Sequence, residues 1–436
     1  MSDANMETMD TRTDSTQPTL FEPSVHFDSN SGRGALVIAS SNTALGVVRS
    51  LGRHGIPVWV LGGKYSVAGV SRYARRTLPL QGDNETQQAD FLIGLAKQHA
   101  LQGWTLFPDS DKGAAMLARN HQRLGEYYRL TVPPWDTLRW AFDKRMTYSL
   151  AAELGIDYPL TFYPTNRADV ETLEGKFPMI LKPAHHQGRD RFSMMNGTWR
   201  ADNRQELLAL YDKASALADP SVIMIQDMIP GRGDTHFNFA TLCQHGRVLA
   251  CALVHRFRSL PIDAGSGTYA MTIDESEIET PSLHWLAKTN FTGLAEVSFK
   301  FDVRDGLYKL LDVNARAWGW HPMCSRAGVD FPYLMWRLAH GEPITPVRAR
   351  AGVRWVRTLY DLVSSLQAMR RGTLSLREYL SSLKGAEHEM YAFDDLMPAV
   401  VEVPLLFKLA WRRMIDGPAK PQIDVARTSE KPGYTV

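Results

Sequence analysis

Apolar and polar residues alternate most regularly along two neighbouring stretches, Gly293-Leu-Ala-Glu-Val-Ser-Phe-Lys-Phe-Asp302 and Tyr308-Lys-Leu-Leu-Asp-Val-Asn314. Period 2 marks half-buried strands, and Asp305-Gly306 between them supplies turn chemistry, so the pair predicts an antiparallel hairpin. One face of it carries Glu296, Ser298, Asp312, Asn314 and Arg316. The last three fall within about 14 Å of strand. Two oxygen ligands and a guanidinium converging there predict a hard-cation site with an arginine beside it.

Earlier in the chain the pattern is different. Ala35–Ala39 is a short buried strand, Ala44–Gly55 an amphipathic helix closed by glycine, and Val58–Leu61 the next strand. A helix over Thr86–His99, a strand over Trp104–Phe107 and a helix opening at Pro108-Asp-Ser-Asp111 continue the alternation, which predicts an α/β domain over 34–133. Ser40–Thr43 reads first as a helix cap and second as an anion-binding loop. The full G-x-G-x-x-G is missing, so a dinucleotide domain is disfavoured. Asp109 and Asp111 follow a strand at its carboxyl end, where open α/β sheets bind ligands. Substrate contact there competes with the ordinary role of acids at a helix start.

From 134 to 345 the pattern predicts one long amphipathic helix over Leu138–Ile156, carrying Lys144, and a buried strand, Phe177-Pro-Met-Ile-Leu-Lys182. An apolar strand that delivers a cation needs an anionic partner, because an isolated buried ammonium is costly. A loop with His185, His186, Gly188, Arg189 and Arg191 follows, then a helix over Asn203–Leu217. The apolar strand Ser221–Ile225 leaves through Gln226, Asp227 and Ile229 into Pro230-Gly231, and His236–Leu242 pairs with Arg247–Arg256 across Gln244-His-Gly246. Arg256, Arg258 and the glycine-rich turn at Gly265–Tyr269 suit an anionic substrate or a plain exposed hairpin end. Residues 346–436 predict a helical extension, with helices over Leu359–Met369 and Leu374–Leu383 and an apolar-basic piece, Val403–Arg413. Packing back on the body is favoured there over docking on a membrane or partner.

Leu310-Leu-Asp-Val-Asn-Ala-Arg316 resembles the (Glu/Asp)-x-Asn-x-Arg strand of the ATP-grasp superfamily, and the other parts stand in the family's order. The resemblance covers about residues 34 to 345. It implies an α/β plus α+β fold: a Rossmann-like pre-ATP-grasp domain (34–133), a two-lobed ATP-grasp module (134–345) and the helical extension. It implies ATP and Mg²⁺ as cofactors, with Lys144 and Lys182 on the phosphates and the loop after Lys182 in the place of the phosphate flap. Gln226 contacts the adenine amino group, Asp227 and Ile229 give backbone contacts and Asp234 reaches the ribose. Asp312 and Asn314 hold the metal with Glu296 or Ser298, the latter standing where the family has an acid. Arg316 faces the reacting group. Trp318, Trp320 and His321 either line the acceptor pocket or pack in the core. The implied activity is ligation of a small carboxylate to an amine through an acyl phosphate, a C–N ligase. The alternatives are a nucleotide-binding but catalytically silent sensor or scaffold, and a membrane-docked partner protein.

Composition narrows the setting. With 44% hydrophobic and 22% charged residues the sequence is that of an ordinary globular protein, and a net charge of +2 gives no reason to expect nucleic acid. Three cysteines, Cys243, Cys251 and Cys324, show no metal or redox spacing, which predicts a reduced, cytoplasmic setting. Residues 1–33 read as a disordered tail without a leader, and no apolar run reaches about 20 residues, so membrane contact is disfavoured. A homodimer is open. P-loop and G-x-S-x-G motifs are absent, which removes P-loop kinases and serine hydrolases.

Overall fold

A computed structural model describes residues 32–404, apart from 64–65, 186–191, 193–197, 232 and 263–264. Strands β1 (Ala35–Ala39), β2 (Val58–Gly62), β3 (Ala74–Leu78), β4 (Thr105–Pro108) and β5 (Arg129–Leu130) form a parallel sheet in the order β3-β2-β1-β4-β5. Helices α1 (Thr43–Arg53), α2 (Glu85–His99), α3 (Asp111–Arg119) and α4 (His121–Gly125) connect them. The β1 residues are fully or almost fully buried, as expected of a parallel strand covered on both faces. Helix α2 starts where Asn84 caps the Gln87 amide, and α3 where Ser110 caps Gly113.

The helix expected over Leu138–Ile156 is two helices, α5 (Trp135–Phe142) and α6 (Lys144–Glu153). Asp143 divides them: its backbone is extended and its carboxylate accepts from the Arg145 amide. A short acidic side chain competes for backbone N–H groups, and here that local bond outweighs helical periodicity. Lys144 therefore begins a helix instead of sitting in the middle of one.

A small antiparallel sheet follows, built from β6 (Thr161–Phe162), β7 (Met179–Pro183), β8 (Trp199–Ala201) and β9 (Ile223–Asp227) in the order β6-β9-β7-β8. Helices α7 (Arg167–Glu171) and α8 (Arg204–Ser215) pack on it around Leu181, Leu207, Tyr211 and Ile225.

The third sheet is the largest. It contains β10 (His236–Gln244), β11 (Arg247–Leu260), β12 (Ser266–Ile273), β13 (Gly293–Asp302), β14 (Leu307–Asn314), β15 (Val347–Arg348), β16 (Arg354–Val356) and β17 (Glu387–His388). The main order is β14-β13-β10-β11-β12-β16-β17, with β15 beside β11. His245 and Gly246, at φ 51° and 74°, make the two-residue turn between β10 and β11. A Cβ on Gly246 would lie 2.8 Å from the Ala287 Cα, so glycine is needed there for space as well as for φ. Helices α9 (Glu279–Lys288), α10 (His321–Arg326), α11 (Phe331–Ala339), α12 (Thr358–Arg370) and α13 (Leu376–Leu383) complete the chain.

The extension after 345 contains the two expected helices but is not only helical, since β15, β16 and β17 join the large sheet. Strands of two or three residues are too short to show a period, which is why the sequence pattern did not mark them. Its last described stretch is fastened to α1. The Arg49 guanidinium, buried, donates from Nε to Asp395 at 2.9 Å and from its other nitrogens to the carbonyls of Glu389, Met390 and Asp395. Among the described residues no helix is long and apolar enough to cross a membrane.

Candidate functional site

One face of the large sheet is divided in two. Its far half, with Ala240, Leu242, Ala250 and Leu294, packs in one core with Phe331 and Met335 of α11. The near half is polar and carries Asn238 of β10, Arg256 of β11, and Glu296, Ser298 and Lys300 of β13. Glu296 lies opposite Asn314 and Ser298 opposite Asp312, on the one face the alternation predicts, with a register shift between Ser298 and Phe299.

The expected metal and catalytic residues lie near one another in three hydrogen-bonded sets. The Asn314 amide donates to Glu296 Oε2 at 3.0 Å and accepts from Arg316 Nη2 at 3.1 Å. Arg316 also forks the Asp111 carboxylate, Nε at 2.9 Å and Nη2 at 3.3 Å, and donates from Nη1 to the Ala317 carbonyl. Lys144 Nζ lies 2.9 Å from both oxygens of Asp312. Ser298 donates its hydroxyl to Asn238 Oδ1 at 2.8 Å. The Lys144 amide donates to the Ala184 carbonyl just after β7, which holds the start of α6 beside the strand that carries Lys182.

Desolvation shapes the charges. Burial pushes the Glu296 carboxyl up to about 7, against the opposing pull of Arg316, Asn314, Trp320 and Arg256. Burial pulls the Lys182 ammonium down to about 7; the positive charge of Lys144 adds to this and Asp312 opposes it. Burial would also depress Arg316, but Asp111 together with Glu296 and Asp312 outweighs it and holds the guanidinium above its ordinary value. A lysine and a carboxyl both moved toward neutrality in one cleft mark it as a candidate functional site.

Among the described residues no three His, Cys, Asp or Glu side chains gather as a metal cage. The oxygen donors available are Asp312, Asn314, Glu296 and Ser298. An all-oxygen set with few carboxylates suits Mg²⁺, which keeps several of its waters.

At the other end of the cleft, the Gln226 amide donates to Thr161 at 2.7 Å, the Asp227 N–H to the Leu160 carbonyl at 2.8 Å, and Lys300 Nζ to the Ile229 carbonyl at 2.9 Å. Asp227 accepts from Arg304 at 2.8 Å, and the Asp234 carbonyl accepts from His255. Lys300, Arg304 and Asn238 escaped the sequence reading. The available signal was the alternation itself, since Lys300 and Asp302 continue the Glu296–Ser298 face and Asn238 pairs with Ser298 across strands.

Several expectations resolve toward packing. Asp109 accepts from the Ser40 hydroxyl and from the amides of Ser40 and Ser41, so the protein's own carboxylate fills that anion loop. Trp318 is buried against Phe331. His321 lies over Gly46, where a Cβ would come within 2.5 Å of its ring, and burial pulls its pKa down to about 4. Trp320 keeps a polar task through its bond to Glu296. Arg258 forks Asp361 at 2.9 and 2.7 Å and stacks over Tyr269, whereas Arg256 faces the site. His186, Gly188, Arg189 and Arg191 of the expected flap lie outside the described residues. A small recess open to solvent lies beside the hairpin, lined by Asp111, Lys144, Asp312, Leu138, Ala141 and Phe142.

Residues 234–359, from just before β10 to the start of α12, match the model of a family described as ATP-grasp in the biosynthetic pathway with Ter operon. The D-aspartate ligase of Enterococcus faecium is 24% identical over 254 residues, which is 54% of this chain and 59% of that protein. The chain therefore spans about three fifths of that relative's length. The solved L-amino acid ligase from Bacillus licheniformis aligns with a TM-score of 0.54 at 18% identity, over 70% of this chain and 73% of that one. The biotin carboxylase domain of the Hydrogenobacter thermophilus 2-oxoglutarate carboxylase, solved with MgADP, ADP and bicarbonate, aligns with a TM-score of 0.56 at 17% identity, over 74% and 73%. Identities this low speak for the fold. The family match covers the polar hairpin, and the fold of these two solved proteins is shared along most of the chain.

Proposed function

We propose that the chain is an ATP-dependent ligase that joins a carboxylate to an amine through an acyl phosphate, releasing ADP and phosphate. The observation that carries this reading is the pair of hydrogen-bonded sets Lys144–Asp312 and Glu296–Asn314–Arg316 at one hairpin face, with Lys182 beside them. Phosphoryl transfer asks a protein for position and charge neutralisation more than for a covalent group, and these sets offer both.

Bound ATP would supply the phosphoryl group, and Mg²⁺ would share its charge. Lys144 and Lys182 would hold the phosphates. Asp312 and Asn314, with Glu296 or Ser298, would hold the metal; Ser298 gives its proton to Asn238, which turns its oxygen lone pairs toward a cation or a bound water. Gln226, the Asp227 carbonyl and the Ile229 N–H would read the base, and Asp234 the ribose. Arg316 would neutralise charge on the transferring group and on the acyl oxygen. In the first step a carboxylate oxygen bonds to the γ-phosphorus and ADP leaves. In the second, the amine nitrogen bonds to the acyl carbon, the bond to phosphate breaks and the amine proton passes to solvent.

One observation favours a second reading, a nucleotide-binding protein without turnover. Ser298 stands where the family carries an acid, so the metal has one carboxylate fewer. ADP release from Mg-ATP, followed against a panel of carboxylates and amines, separates the two. Substrate-dependent ADP supports the ligase; calorimetric ATP binding with no ADP across the panel leaves the silent binder.

A further inference from the structure

We propose that the helical hairpin α12–α13 docks on an anionic lipid membrane, a contact independent of the ligase reading. Helix α12 is turned inside out. The side it buries is polar, with Asp361, Ser364 and Ser365, whereas Leu362, Val363 and Leu366 are 43%, 45% and 49% exposed on the other. A helix that only had to pack on the body would bury its leucines and show its serines.

Arg258 of β11 accounts for the inversion. It forks Asp361, donates to the Ser382 hydroxyl and lies over the rings of Tyr269 and Tyr379, so both helices spend their inner sides on one guanidinium. Asp361 accepts from Thr268 as well, and Ser364 donates to the Ser259 carbonyl. The outer sides of the two helices therefore both turn away from Arg258, and on α13 Leu376 and Leu380 are 62% and 58% exposed. Apolar side chains gathered in this way mark a surface that meets something else.

Charge decides what that is. From Arg354 to Lys384 the chain has six basic residues and two acids. Of the acids, Asp361 is turned inward to Arg258, and Glu378 caps the start of α13. Arg370 follows Leu366 by one turn of α12, and Arg377 and Lys384 flank Leu376 and Leu380, all three exposed. A second copy of the chain would press this basic rim against itself. The sequence beyond residue 404 brings Lys408, Arg412 and Arg413, of the same sign. An anionic bilayer answers both features: its acyl boundary takes the leucines to a depth of about 5–10 Å, and its headgroups attract the rim. With 13 residues α12 is about 20 Å long and would lie flat, in keeping with the lack of any described helix fit to cross a membrane.

The test is co-sedimentation of the full chain with phosphatidylcholine vesicles, with and without phosphatidylglycerol. Phosphatidylglycerol should raise binding at least about tenfold, and high salt should reverse the gain. The double variant Leu362→Ser/Leu366→Ser, at exposed positions and with an unchanged unfolding midpoint, should lose at least about fivefold, as should Arg370→Glu/Arg377→Glu. Equal binding to both vesicle types, or none, overturns the proposal. So does a dimer in sedimentation equilibrium that the leucine variant dissociates, which gives the face to a second copy. Binding that survives the leucine variant but is lost in Phe407→Ser/Trp411→Ser belongs to the tail and overturns the hairpin.

Discussion

The two ends of the cleft use the same residue types for opposite purposes. At the hinge end, the fully buried Asp302 carboxylate accepts from Arg304 and Lys309, Arg304 continues to Asp227, and Lys300 holds the carbonyls of Ile229 and Gly231. Burial would raise Asp302, but the bonds from Arg304 and Lys309 outweigh it and hold the carboxyl well below its usual range. At the reaction end, Glu296 and Lys182 are both pushed toward neutral pH, and Lys144 and Arg316 are held by carboxylates that a metal or a substrate could claim. A charge network satisfied from within fixes shape; one left poised is available for chemistry.

That contrast can be broken from either side. The largest effect is expected from Arg316→Ala, which should fold with an unchanged unfolding midpoint and lose turnover by about 10²–10³, the usual effect of removing a preorganised donor. Steady-state ADP release measures it, and unaltered turnover would remove Arg316 from the chemistry. Asp302→Asn should do the reverse. It leaves Arg304 and Lys309 partly buried without their acid, so stability should fall by about 2–4 kcal/mol in urea unfolding, at the low end because Arg304 remains a third exposed. Catalysis per folded molecule should change little, and a lost turnover with full stability would dissolve the distinction.

Asp312→Asn should raise the Mg²⁺ concentration for half-maximal ADP release by at least about tenfold, since losing a ligand's charge should cost no less than losing an outer-shell partner; an unchanged requirement moves the metal elsewhere. The smallest effect concerns protons. Lys182 titrates near 7 in the ligand-free protein, and phosphate favours its ammonium form, so nucleotide binding should take up a proton above pH 7 and progressively less below it. Calorimetry of Mg-ADP binding in buffers of different ionisation heat gives the number of protons, and Lys182→Met should lack that pH-dependent part.

Much of this was readable from residue order. Alternation located the hairpin and the grouping of Glu296, Ser298, Asp312 and Asn314 on one face, because a half-buried strand leaves no other way to place its apolar side, but not the register, which shifts between Ser298 and Phe299. The βαβ opening was legible for a similar reason, with buried β1 between turn residues. What stayed hidden was decided by distant partners. Nothing near Asp111 in sequence says that Arg316, 205 residues later, will hold it. The split at Asp143 turned on a single local hydrogen bond, and the aromatic run Trp318–His321 could equally have lined a pocket until α1 came close through Gly46.

The grip of Arg49 on the segment around Asp395 also bears on how the protein is made. A ribosome finishes α1 more than 300 residues before the carboxylate that neutralises its buried arginine exists. The first domain therefore carries this arginine without its partners through most of synthesis, and any fragment that stops at residue 359, where the family match ends, never gains them. Truncation at that point should leave Arg49 hydrated and α1 without the four hydrogen bonds that seat this segment on it.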